Sequence, residues 1–184
     1  MTSSSSTPGL ARFNALEGHA AAAVLHEACA SAEWGRRLLA GRPYAMADDL
    51  LAASDAAMAE LTEGDLAEAM AGHPPIGRPK PGDLTSSREQ RGMAGASEEL
   101  KAEMLELNLA YQDRFGHVFL ICATGLTGEK MRDAVKVRIG NSPEEEREIV
   151  RTELGKINRI RLARLVEEPV AEPVEEHVEE QDGD

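Results

Sequence analysis

Aromatic residues are scarce in this chain: one Trp, two Tyr and three Phe among 184 residues. Any core must therefore be built from Leu, Ile, Val, Met and Ala. Cysteine is scarcer still. Cys29 and Cys122 are too few for a disulfide scaffold or a four-cysteine zinc site, so a reducing cytoplasm is the expected setting. No apolar run approaches the roughly 20 residues of a membrane span, so no membrane partner is expected. Met1 to Pro8 carries neither basic residues nor an apolar stretch, unlike a secretory signal. No basic patch is visible, which speaks against nucleic acid. Glycine-rich phosphate loops, a nucleophile elbow, a dinucleotide fingerprint and paired-histidine metal motifs are all missing, as is any internal repeat. No metal and no cofactor is expected.

What is present is 42% hydrophobic residues and a net charge of −13. Most of the net charge is local. Nine acids lie in 167–184, which hold no Lys or Arg, and the rest of the chain has 20 basic against 24 acidic residues. With Pro169, Pro173 and few large apolar groups, this tail reads as disordered and solubilising. The expected organisation is a flexible 1–10, one helical domain over 11–166, and the acidic tail over 167–184.

The body reads as all-α, with about eight helices and one short extended segment. Asn14 with Glu17, Ser31, Thr62 with Asp65, Ser86 with Glu89, Ser97, Thr127 and Ser142-Pro143-Glu144-Glu145 all look like helix starts. Leu100, Met104, Leu107, Tyr111 and Phe115 share one helical face, which stops at Gly116. Val118 to Cys122 is apolar and too short for its own helix. It is either a lone extended strand or a buried turn, and its backbone groups need partners from elsewhere.

Three places offer chemistry. His73 sits in a stretch stiffened by Pro74, Pro75, Pro79 and Pro81, and imidazole titrates near neutral pH. Its bland reading is a surface histidine after Gly72. Ser86-x-x-Glu89 with Gln90 is a capping box that also sets a carboxylate and a carboxamide beside free N–H groups. Arg161 lies on one stripe with Leu154, Ile157 and Leu165, where a guanidinium needs a carboxylate or a bound anion, unless it snorkels to the edge. Arg138 poses the same question more weakly.

These residues fall in an ordered set with Trp34, Arg42-Pro43-Tyr44, Gly72-His73-Pro74, Asn108-x-x-Tyr111, Arg114-Phe115-Gly116, Phe119 to Ala123, Asn141 and Arg161-Leu162. Over Phe13 to Leu165 the chain thereby resembles the 2-oxo-4-hydroxy-4-carboxy-5-ureidoimidazoline (OHCU) decarboxylases. Pro75 and His117-Val118 depart from the family's common pattern beside the site. The resemblance implies a cofactor-free, all-α, homodimeric carboxy-lyase of uric acid degradation. Such an enzyme forms (S)-allantoin and CO2, in functional coupling with urate oxidase and hydroxyisourate hydrolase.

By the same resemblance the catalytic set is His73, Glu89 and Arg161. Pro74, Ser86, Ser87, Arg88, Glu89, Gln90, Phe119, Leu120, Ile121, Cys122 and Ala123 line the substrate. The expected roles are a protonated His73 as proton donor and Arg161 holding the anionic substrate. Glu89 bonds the ring hydroxyl, while Gln90 and the 119–123 backbone hold the ureido arm. The competing readings are a hydrolase of another ureide or cyclic amide, and a non-enzymatic helical adaptor using the acidic tail.

Overall fold

Side chains that cap helices set most of the element boundaries. The computed structural model describes residues 7–167. Thr7 precedes α1 (Pro8–Ala15), and α2 is Gly18–Ala28. Ser31 accepts from the Trp34 N–H to open α3 (Ala32–Ala40), which is followed by α4 (Ala47–Ala59). Thr62 and Asp65 exchange side-chain and backbone hydrogen bonds at the head of α5 (Glu63–Ala71). Then come α6 (Leu84–Glu89), α7 (Arg91–Ala94) and α8 (Glu98–Phe115). Gly116 ends α8 at φ 78°, a left-handed turn that glycine adopts without a Cβ penalty. Thr127 caps α9 (Gly128–Arg138), and the Ser142–Glu145 exchange launches α10 (Pro143–Glu167).

Several expectations need correction. Among the described residues there are ten helices, not about eight; α1 and the one-turn α7 are the additions. Asn14 does not start a helix. Its amide is engaged 30 residues away, donating to the Tyr44 carbonyl and accepting from the Tyr44 N–H. Nor does Ser86 cap α6. Asp83 does so three residues earlier, accepting from the Thr85 N–H, which leaves Ser86 and Glu89 inside the helix. The helical body begins at Pro8, not at 11, because Gly9 and Leu10 are buried against the end of α10. The expected flexible start (through residue 6) and the tail beyond Glu167 lie outside the described residues.

Two apolar clusters result. One joins α1 to α5 with α10 around Trp34, Leu25, Leu38, Leu50 and Leu154. The other joins α8 and α9 around Met104, Tyr111, Phe119 and Met131. Residues 118–123 form neither helix nor strand. They run along the seam, with Leu120 and Cys122 packed into the first cluster and Phe119, Ile121 and Ala123 into the second. A segment buried between two cores is fixed by packing, although no ladder holds it.

Candidate active site

The seam also receives the loop after α5 and the helix α6. The 74–82 loop is held from both sides. Gln90 donates to the Pro75 carbonyl (3.2 Å) and accepts from the Gly77 N–H (2.8 Å). Asn108, buried on α8, donates to the Ile76 carbonyl (2.8 Å). Gly77 itself turns at φ 85°. The Ser86 hydroxyl accepts from the Lys80 N–H (3.1 Å), tying the far end of the loop to α6. His73, at the root of this loop, thus adjoins backbone tied down at Pro75, Ile76, Gly77 and Lys80.

Glu89 ends α6 and is buried. Both its oxygens accept from Arg161: Oε1 from Nε at 2.8 Å and Oε2 from Nη2 at 2.9 Å. The third guanidinium corner, Nη1, donates to the Ala28 carbonyl (2.9 Å), bringing the end of α2 into the arrangement. A fork-to-fork pair of this kind fixes both side chains in one geometry.

His73 and Glu89 line one cavity with Pro74, Ser86, Gln90, Phe119, Leu120, Ile121 and Ala123; Ile76, Thr124 and Ile157 complete the wall. Its free space is narrow, about 20 Å³. Burial drives the His73 pKa down from its ordinary 6.5 to about 4; the Arg161 charge pushes the same way, and Glu89 opposes both. The imidazole is therefore neutral at neutral pH. Among the described residues the N–H groups of Leu120, Ile121 and Ala123 have no protein acceptor. The cavity thus combines an imidazole, a fixed carboxylate and unspent backbone donors. It suits a flat polar molecule with amide-like groups and a proton to move.

A profile of the OHCU decarboxylases matches residues 14–163, which include the second cluster, most of the first and the whole cavity. The chain belongs to the OHCU decarboxylase family. It is 31% identical over 144 residues to the uric acid degradation bifunctional protein TTL of Arabidopsis thaliana. That match covers 74% of this chain and 44% of the relative, so the chain spans less than half of the plant protein. The 2-oxo-4-hydroxy-4-carboxy-5-ureidoimidazoline decarboxylase of Amia calva is 33% identical over 135 residues, covering 70% of this chain and 77% of the relative. Among solved structures, an OHCU decarboxylase crystallised in the presence of (S)-allantoin superposes with a TM-score of 0.72. It is 28% identical, over 83% of this chain and 100% of that one. An (S)-allantoin synthase shares the fold, with a TM-score of 0.65 at 18% identity, over 85% of this chain and 54% of its own.

Within this decarboxylase fold, most residues expected at the site converge, and some take other places. Ser87 and Arg88 are exposed on the outer side of α6. Arg88 and Arg161 border a neighbouring groove with Arg164 and Thr85, and Arg161 does not line the His73 cavity. Arg161 spends Nε and Nη2 on Glu89 and Nη1 on the Ala28 carbonyl, so its guanidinium fixes the carboxylate in this arrangement. Gln90 likewise commits one donor and one acceptor to the loop. The expected protonated His73 is replaced by a neutral one, since a buried imidazole beside a guanidinium resists a second positive charge. Cys122 offers no side chain to the cavity, and its N–H is taken by Glu153 (2.8 Å). Sequence reading missed Ile157, although it lies one turn before Arg161 on the same stripe. It also missed Asn108 as a holder of the loop, which no local pattern announces.

Proposed function

We propose that this chain is a carboxy-lyase that converts OHCU to (S)-allantoin and CO2. The observation that carries the reading is the joining, in one cavity, of a neutral buried imidazole, a carboxylate held by Arg161 and the donors of 119–123. The substrate's name states its chemistry: hydroxyl and carboxyl share one ring carbon, and the next bears the ureido arm. When the bond to CO2 breaks, its electron pair passes into the adjacent C=N, so the substrate serves as its own electron sink. That supports a cofactor-free reaction.

Three tasks remain for the protein: to orient, to stabilise developing charge and to move a proton. Before reaction Glu89 accepts from the ring hydroxyl and aligns it, and the hydroxyl then turns its one proton to His73. Neutral His73 takes the hydroxyl proton as the carbonyl forms and delivers it to the ureido-bearing carbon, from one face only. The ring nitrogen that received the electron pair takes one proton from solvent. The ureido arm lies along the 119–123 backbone.

The reading extends to a homodimer, as in the family resembled, and to functional coupling with urate oxidase and hydroxyisourate hydrolase, which would supply the substrate. Cytoplasmic placement is supported by two free thiols, as a reducing compartment keeps cysteines unpaired. The test is carbon dioxide. With OHCU carrying labelled carboxyl carbon, purified protein should release one labelled CO2 per substrate consumed, far faster than buffer. Consumption of substrate with the label retained would show a hydrolase instead.

A further inference from the structure

The 118–123 segment has no ladder, yet its orientation is set by two side chains that do not line the cavity. Arg138, at the end of α9, donates from Nη1 to the Leu120 carbonyl (2.8 Å) and stacks over the Phe119 ring at 4.6 Å. Glu153, on α10, accepts from the Cys122 N–H (2.8 Å). A trans peptide holds C=O and N–H on opposite sides. The Leu120 carbonyl pointing at Arg138 therefore turns the Ile121 N–H away from it. In the same way the Cys122 N–H pointing at Glu153 turns the Ile121 carbonyl away. Ile121 is in the cavity wall. Ile121 thus keeps one donor and one acceptor turned from Arg138 and Glu153, the pair of groups that a ureide's C=O and N–H require.

Arg138 is itself fixed. Its Nε (2.9 Å) and Nη2 (2.5 Å) donate to Oε1 of buried Glu146, which also accepts from the Tyr111 hydroxyl, while Asn141 donates to Oε2 (3.1 Å). We propose that Glu153 and Arg138 are positioning residues, which clamp the segment from behind so that Ile121 presents a matched donor–acceptor pair to the substrate. This rests on the function proposed above and adds to it the residues that orient the substrate-facing backbone.

Glu153 is the better test. It is 12% exposed, paired otherwise among the described residues only with exposed Lys156, and can be replaced without orphaning a buried charge. Arg138 cannot, since buried Glu146 would lose its counter-charge. Glu153→Ala should lower kcat/KM about tenfold or more, as displaced binding groups do. It should also speed amide exchange at Cys122 and Ile121 and erode the enantiomeric excess of the product, with the helical spectrum unchanged. Glu153→Gln keeps an acceptor for the Cys122 N–H and should recover most of the loss. An active wild type whose Glu153→Ala variant keeps its kcat/KM and enantiomeric excess would overturn the clamp, as would a Gln variant as impaired as Ala. A wild type that makes no chiral allantoin would instead overturn the underlying function, and the two failures are distinguishable.

Discussion

At the scale of single residues, His73 ties sequence to chemistry. A base whose folded-state pKa is depressed leaves stability intact above its ordinary pKa of 6.5. Below that, the unfolded chain takes up the proton first, so stability falls as pH drops toward about 4 and levels off beyond it. Denaturation midpoints between pH 7 and 4 should show this decline in the wild type and a shallower one in His73→Asn; parallel curves would contradict a buried neutral imidazole. As far as His73 is concerned, kcat/KM should stay level from pH 6 to 9, because the neutral form is already complete there. His73→Ala should cut kcat by ~10²–10⁴ with an unchanged helical spectrum. Retention of full turnover would remove it from the mechanism.

Arg161 belongs to the same scale. Arg161→Met leaves Glu89 buried without its partner, and breaking such a pair costs about 3 kcal/mol. Because the guanidinium orients Glu89 and does not line the cavity, kcat should fall more than KM rises. Titration with denaturant and steady-state kinetics check the two halves; a pure KM effect would return Arg161 to substrate binding.

At the scale of elements, much of the fold was legible because capping is local chemistry. Ser31, Thr62, Ser97, Thr127 and Ser142 each cap the helix their spacing suggests. Asn14 and Ser86 misled because a partner outside the window overrode the local pattern: Tyr44 in one case, Asp83 in the other. The His73, Glu89 and Arg161 positions were legible from a stiff loop, a polar helix and a charge on an apolar stripe. Their mutual arrangement was not, since Arg161 and Glu89 meet across 72 residues of sequence. The loop offers an element-level test. Gln90→Ala frees both Pro75 and Gly77, so amide exchange at Gly77 should quicken and kcat/KM should drop. Unchanged exchange would show that Asn108 and Ser86 hold the loop without Gln90.

At the scale of the molecule, the site exists because two apolar clusters meet along a segment that belongs to both. Aromatic scarcity is consistent with this: four of the six aromatic side chains are deeply buried, and the Tyr111–Phe119 contact, with ring centroids 5.2 Å apart, anchors the segment to α8. Among the described residues no helix is long and apolar enough to cross a membrane. Removing 168–184 takes away eight of the nine tail acids and no element of either cluster, so turnover should be unchanged. The central claim is stereospecific decarboxylation in the His73–Glu89 cavity, and the optical activity of the product tests it most directly. With OHCU generated in situ from urate, circular dichroism should develop rapidly with the sign of (S)-allantoin and be lost in His73→Ala. A wild-type trace as slow and signal-free as the protein-free control would contradict the account.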